Sequence, residues 1–501
     1  MKKALIGIYF LSLLSLNAQN INPSEDEIYR ENEVAIVRIQ MDSADKAFLM
    51  DDANIWSSEY LRGNFAFINS VMDTLLAEDV GIRLRGNTSR SQPKRSFKLK
   101  FKEFDGEKFF GYKKFNLKAE NNDPTMVREM LAMQTFRNAN VAATRTHHTE
   151  LYINEEYMGI YLNVEQLDDE FVDARFGNDT GNLYKCTWPA NLEDDGQIYD
   201  DGPYELKTNE DVNDRSILAH FVDVLNNTSD EAFQIEIEKV FNVQPYIRYL
   251  AVEALIGHWD GYSYNKNNFY LYENPDNGLI EFMPYDTDNT FGINWLGDDK
   301  DWATRDVLDW PTHGEDRPLT KRILSVATYN RQYVRELTNL LATYFTEDAL
   351  YPQFDDFKGR LSEPVSRDNY YLTYRYTFED FNDSYEVNNL ASHLPYGLKP
   401  YVSTRVAKAT LDLENVLGVE DKLLREGSLW PNPSEGKSVN VSIDKLGLLE
   451  TMEVINLQGS KVSFDLIKKG NTEYQIRFDN ALPSGMYLFK NKDTTHKFIV
   501  Y

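Results

Sequence analysis

The stretch LIGHWDGYSYNKNNFYLYENPDNGLIEFMPYDTDNTFG, from Leu255 to Gly292, decides how the rest of the chain is read. Carboxylates and side-chain amides crowd between two strand-like segments. Asp260 is followed by Asn265, Asn267 and Asn268, then by Phe269, Tyr270, Leu271 and Tyr272. A second run, Leu279 to Tyr285, ends directly on Asp286-Thr287-Asp288. Side chains two apart on extended backbone point to one side, so Asp286 and Asp288 present their carboxylates together. Hard divalent cations take such oxygen ligands, commonly one or two carboxylates completed by substrate phosphates. The stretch therefore reads as a metal and phosphate site.

Upstream, Val34 to Ile39 reads as a first strand, and residues 81–101 as a hairpin. Phe97, Leu99 and Phe101 alternate with Lys98 and Lys100, while Arg85 and Lys94 flank the turn-like Gly86 to Pro93. Small polar residues there let backbone amides face an anion, and lysine supplies a point charge. Asp123-Pro124 predicts a helix with Asp as cap and Pro in first position, continuing to about Asn138. Glu150 to Asn154 pairs with Met158 to Val164 and leads into Glu165-Gln166-Leu167-Asp168. Two lysine-bearing segments, 182–185 and 204–207, surround an acidic loop, and Arg215 to about Leu255 has helical spacing.

Downstream, residues 293–318 read as a long loop, and Leu319 to Tyr344 and Leu398 to Leu417 as helices with Arg322, Arg331 and Arg405 as surface charges. After a linker at 421–428, short alternating runs separated by turn residues predict a small all-β sandwich over 429–501. The expected fold class is α+β.

A chain of 501 residues calls for more than one domain. Its formal charge of −27 argues against nucleic acid as a partner. Residues 1–18 have two lysines, an apolar core and a small residue at Ala18, the three-part layout of a secretory signal peptide. No later run reaches the roughly 20 apolar residues of a membrane span, so none is expected in the mature chain. Cys186 is the single cysteine, which excludes an intrachain disulfide and reads as a buried small hydrophobe.

The spacing of His258, Asp260 and Asn265 equals that of the protein-kinase catalytic loop H-R-D-L-x-x-x-N. More specific is a set of segments in order: GIRLRGNTSRSQPKRSFKLKF at 81–101, Asp123-Pro124-Thr125-Met126-Val127-Arg128, YMGIYLNVEQLDDEF at 157–171, NLYK at 182–185, then NNFYLY and YDTDNTFG. Together they resemble the spore coat protein H (CotH) kinase-like family over roughly residues 34–420. The resemblance implies an atypical protein-kinase-like two-lobed domain at 19–420, with an N-lobe at about 34–165 and a C-lobe at about 166–420. It also implies ATP with magnesium or manganese, and transfer of the γ-phosphoryl group to serine or threonine hydroxyls of secreted or surface proteins.

Carried over by residue, Asp260 becomes the catalytic carboxylate. Asn268, Asp286 and Asp288 become metal ligands, with Asn265 the alternative that kinase spacing selects. Lys98, then Lys94, would hold the phosphates with Arg85, and Glu165, Gln166 and Leu167 would form the hinge against adenine. The chain departs from typical kinases in lacking GxGxxG and DFG, which leaves open whether Glu129 pairs with the phosphate lysine. WPNPSEG, SGMYLF and HKFIVY resemble the type IX secretion C-terminal sorting domain of the Bacteroidota, implying the type IX machinery as a partner and a secreted or outer-surface location. Two other readings remain: a non-catalytic surface binding or adhesion protein that retains the fold, and a glycosidase with Asp260 opposite Asp286 or Asp288 across a sugar.

Overall fold

The computed structural model describes residues 20–297, 300–310, 317–371, 376–425, 429–430, 436–442, 453–456, 460–469, 473–483, 485–491 and 494–500. The expected signal peptide lies outside these residues, as do parts of the expected linker and of WPNPSEG. Two compact units divide the chain, Met1–Thr410 and Leu411–Tyr501.

In the first unit, strands β1 (Val34–Met41), β2 (Leu61–Asn69), β3 (Met72–Arg85), β4 (Ser96–Lys100), β5 (Lys114–Lys118), β6 (Thr146–Ile153) and β7 (Glu156–Val164) close into a barrel. Its order is β1-β2-β3-β4-β5-β7-β6, shut by parallel pairing of β1 with β6. Closure leaves no unpaired strand edge. Period-two alternation sends Ala35, Val37 and Ile39 inward, where they meet an interior rich in phenylalanine. Phe101 packs edge-on against Phe65 and Phe115 with centroids 5.2 and 5.1 Å apart, the arrangement that aromatic quadrupoles favour.

Asp123 does not cap a helix beginning at Pro124. The helix spans Arg128–Asn138, and the buried Asp123 carboxylate accepts the N–H groups of Thr125, Val127 and Arg128 at 2.9, 3.0 and 2.8 Å. The cap therefore acts across a turn, and Glu129 falls in the first helical turn.

A second, antiparallel sheet follows, built from β8 (Leu183–Cys186), β9 (Tyr204–Leu206), β10 (Phe269–Asn274) and β11 (Leu279–Pro284) in the order β11-β10-β8-β9. The apolar helix Val243–Ile256 packs against it, with the Phe282 ring 4.9 and 4.6 Å from those of Tyr246 and Tyr249. That helix ends at Gly257 with φ +68°, where an added Cβ would lie 2.4 Å from the Tyr401 hydroxyl. Only glycine fits such a left-handed, crowded position without strain. Arg405, expected at a helix surface, is fully buried and donates through Nε and Nη2 to the Ala254 carbonyl at 3.0 and 2.6 Å. A lone arginine in helical spacing looks solvated because its partners, carbonyls 100 to 151 residues away, leave no sequence trace.

The second unit contains two four-stranded sheets, β12 (Leu429–Trp430), β13 (Ser438–Ser442), β17 (Glu473–Phe478) and β16 (Phe464–Lys468) in one, and β15 (Lys461–Val462), β14 (Glu453–Asn456), β18 (Gly485–Asn491) and β19 (Thr494–Val500) in the other. Val439 and Ile476 from the first share a core with Val454 and Phe489 from the second. The chain is thus α+β with an all-β C-terminal portion. Among the described residues no helix is long and apolar enough to cross a membrane.

Candidate active site

Sheet register assembles the site. Phe269 pairs with Pro284, so the residues just outside that ladder, Asn268 and Tyr285, are neighbours, and the Tyr285 N–H donates to the Asn268 carbonyl at 3.1 Å. Asn268 and Asp286 both have left-handed backbones, φ +53° and +49°. Such conformations cost roughly 1–2 kcal/mol in non-glycine residues and cluster at functional sites. From the barrel, β5 delivers Lys118 to the same point. Its ammonium pairs with Glu129 of the capped helix and with Asp286 Oδ1, the latter at 2.6 Å.

Burial works against the Lys118 charge, but the Asp286 and Glu129 carboxylates outweigh it and raise its pKa above the ordinary lysine value. Burial likewise pushes the Asp286 carboxyl up, yet Lys118 prevails and holds it at about 2. Asp288, half-buried beside Asp286 and Glu129, is pushed well above the usual carboxylate range by desolvation, with Lys118 only partly offsetting this.

These residues floor a cleft of about 410 Å³ whose walls carry Arg83, Arg85, Arg90, Lys98, Lys185 and Lys207. With Lys118, seven cations line the cleft against three carboxylates, Glu120, Asp286 and Asp288. In a chain of net charge −27 this is a local reversal of sign. Such a pocket attracts anions and focuses their approach. Lys98 donates to Gln166 Oε1 at 3.1 Å, and burial together with Arg85, Lys114 and Arg83 lowers its pKa to about 6.

Two orphaned groups define what would fit. Arg85 Nη1 is buried with no hydrogen-bond acceptor among the described residues, although Nη2 reaches the Tyr285 hydroxyl at 3.4 Å. Both Glu120 carboxylate oxygens are buried without a donor among the described residues. Unpartnered buried polar groups are rare and costly. An orphaned guanidinium N–H calls for an anion such as a phosphate, and an orphaned carboxylate among other acids calls for a cation. A metal-bound phosphate ester satisfies both.

Of the residues singled out from sequence, Arg85, Lys98, Gln166, Asp286 and Asp288 line this cleft. Asp260 lies beside it, following the Gly257 cap. Its Oδ1 accepts amides of Asn265 and Asn267 at 2.5 and 3.2 Å, and its Oδ2 those of Asn268 and Asn289 at 3.1 and 3.2 Å. Burial raises its pKa, and the Asn265 and Asn267 amides hold it back. Asn265 and Asn268 thus both spend their amide nitrogens on Asp260.

Lys94, expected as a second phosphate lysine, is instead sealed inside: it donates to the Asp368 carboxylate and the Ile160 carbonyl, both at 2.6 Å. Of the three residues expected as the hinge, only Gln166 lines this cleft with its side chain. Glu165 is buried between Arg145 and Arg175, at 2.5 and 2.6 Å, and Leu167 belongs to an apolar cluster with Phe171 and Tyr270. Lys118 and Glu120 were not anticipated. A lysine ending a strand eleven residues before a first-turn helical glutamate was the available signal.

Comparison with known proteins comes to the same region. The sequence pattern described as CotH kinase protein matches residues 82–393, and that of the secretion system C-terminal sorting domain matches residues 428–501. Inner spore coat protein H of Bacillus subtilis is 26% identical over 298 residues, covering 58% of this chain and 79% of that protein. Invasin CotH2 and invasin CotH3 of Rhizopus delemar are 26% and 25% identical over 254 and 252 residues. In each case 47% of this chain matches, but only 42% and 41% of the fungal protein. The sorting domain indicates secretion and cell-surface localisation and points to the type IX machinery.

Proposed function

The chain belongs to the CotH kinase protein family, and from that membership we propose that it is an exported atypical protein kinase. It transfers the γ-phosphoryl group of ATP to a serine or threonine hydroxyl of a secreted or surface protein. The observation that carries this reading is Lys118, paired at once with a helical glutamate, Glu129, and a strand-end aspartate, Asp286. Kinases require a strand lysine, its glutamate partner and a metal-holding aspartate in place together. The barrel would serve as the N-lobe, to about residue 165, and the second sheet with its helices as the C-lobe, to about 420.

In this reading Lys118, Lys98 and Arg85 bind and orient the phosphates, and Gln166 faces the base. Asp286 and Asp288, with Asn268, would hold magnesium or manganese, which when bound supplies charge neutralisation at the phosphates. The acceptor oxygen forms a bond to the γ-phosphorus, the bond to the β-bridging oxygen breaks, ADP leaves, and the hydroxyl proton passes to Asp260. A raised pKa suits a general base, and the four amides fix the orientation of this carboxylate.

One observation favours a second reading. The same amides occupy Asp260 on both oxygens, and Asp260 does not line the cleft. A surface-binding protein that keeps the fold without transfer fits that arrangement, and two of the relatives above carry the name invasin. Labelled ATP with magnesium or manganese separates the two. The kinase reading predicts a nucleotide-dependent thermal shift and label transfer in the wild type, and loss of transfer in Asp260→Ala and Asp286→Ala. No shift and no transfer in the wild type would leave the binding reading.

A further inference from the structure

Glu120 sits at the barrel end of the cleft, two residues beyond Lys118, and is 5% exposed. Among the described residues neither carboxylate oxygen has a hydrogen-bond donor. Lys118, the cation that ends the strand just before it, is already committed to Glu129 and Asp286. Four carboxylates, those of Glu120, Glu129, Asp286 and Asp288, thus act on one lysine. Of the four, Glu120 is the one buried with neither oxygen partnered among the described residues, and a buried carboxylate in that state needs a partner.

We infer that Glu120 is a ligand for a divalent cation, held with Asp288 at a position separate from the one served by Asp286 and Asn268. The inference rests on the phosphotransferase reading only for what the ion would do there. The binding itself follows from the unpartnered carboxylate.

Several observations agree. Asp288 is among the charges that reach Glu120, and Asn122, two residues on, points its amide at Asp288 Oδ2 from 3.5 Å. Chain geometry therefore brings the 118–123 turn and the 286–288 segment together. Hard-oxygen donors of this kind, carboxylates supplemented by side-chain amide oxygens, suit magnesium or manganese rather than softer metals. Asp168, Asp169 and Glu170 gather their oxygens within 4.8 Å of one another, but lysines 108, 113 and 114 already neutralise that cluster. Among the described residues the cleft acids do not converge so tightly. Acids spread along a floor fit two ion positions with phosphate between them, as in two-metal phosphoryl transfer sites.

Manganese titrated into the full chain without nucleotide, with free Mn²⁺ followed by electron paramagnetic resonance, tests this directly. Wild type should bind Mn²⁺, Glu120→Gln should weaken that binding by about tenfold or more, and Glu120→Asp should retain most of it. In EDTA, Glu120→Gln should unfold at or above the wild-type temperature, because the substitution removes no hydrogen bond or ion pair made by the carboxylate among the described residues. Unchanged Mn²⁺ affinity in Glu120→Gln, no Mn²⁺ binding by wild type, or a lowered unfolding temperature in EDTA would each overturn the inference. If Glu120-dependent Mn²⁺ binding is present but ATP never binds, the inference stands and the kinase reading falls. If ATP binds and transfers while Glu120→Gln matches wild type toward Mn²⁺, the reverse holds.

Discussion

Glu165 and Asp286 are both carboxylates held at about 2 by neighbouring cations, yet their surroundings differ in one respect. Glu165 has a guanidinium on each oxygen, Arg145 and Arg175, and the group is sealed from solvent. Asp286 shares a single lysine with Glu129, keeps Asp288 and Glu120 as neighbours, and faces an open cleft. Lys94 and Lys118 repeat the contrast: Lys94 is buried one-to-one with Asp368, whereas Lys118 is outnumbered by acids. Charge paired and sealed from solvent holds the fold, whereas the acids around Lys118 open on the cleft.

The largest effect expected from breaking this distinction is on catalysis. Lys118→Met and Asp286→Ala should lower label transfer per folded molecule on the order of 10³-fold, and Lys118→Met should also lower the unfolding temperature seen by circular dichroism because it leaves the buried Glu129 without its partner. On the balanced side, Lys94→Met and Glu165→Gln leave a buried charge without its partner. Each should cost about 3–5 kcal/mol in denaturant unfolding, with transfer per folded molecule unchanged.

A smaller effect comes with pH. The Glu165 carboxyl sits lower in the folded chain than its ordinary 4.5, so the folded state binds fewer protons there. Its stabilisation is complete above pH 4.5 and is lost as pH falls toward about 2, amounting to ~3 kcal/mol. The difference between wild type and Glu165→Gln in acid unfolding should show that loss. The smallest effect concerns Lys98, whose ammonium loses its proton near pH 6 in the empty cleft. An entering phosphate favours the charged form, so binding takes up a proton, and affinity falls by up to about tenfold per unit as pH rises above 6. Calorimetry with inorganic triphosphate in two buffers should detect that proton, and Lys98→Met should abolish it.

The contrast also explains what could be read from sequence. Asp286 and Asp288 were legible because a short, mostly apolar strand runs into them, and Gln166 because it follows a clear hairpin. Lys98 lies on an equally regular strand. Lys118 was passed over because β5 has five residues and its two partners come from the following helix and from 168 residues downstream. Lys94 resembled a ligand lysine because Asp368, which seals it, lies 274 residues away. Glu165 looked like a hinge because Arg145 and Arg175 carry no local mark of their convergence. Local pattern specifies strands and caps. Which charges end up balanced is set by long-range closure of the barrel and its neighbours.

The central claim, that the unbalanced cluster at Lys118 is the reactive centre, is tested most directly by transfer of label from γ-labelled ATP with Mn²⁺. The mature wild type is compared with Lys118→Met and Lys94→Met at matched folded concentration. Transfer by wild type and by Lys94→Met, with none by Lys118→Met while its fold is intact, is the result predicted. Transfer by Lys118→Met equal to that of wild type would contradict it.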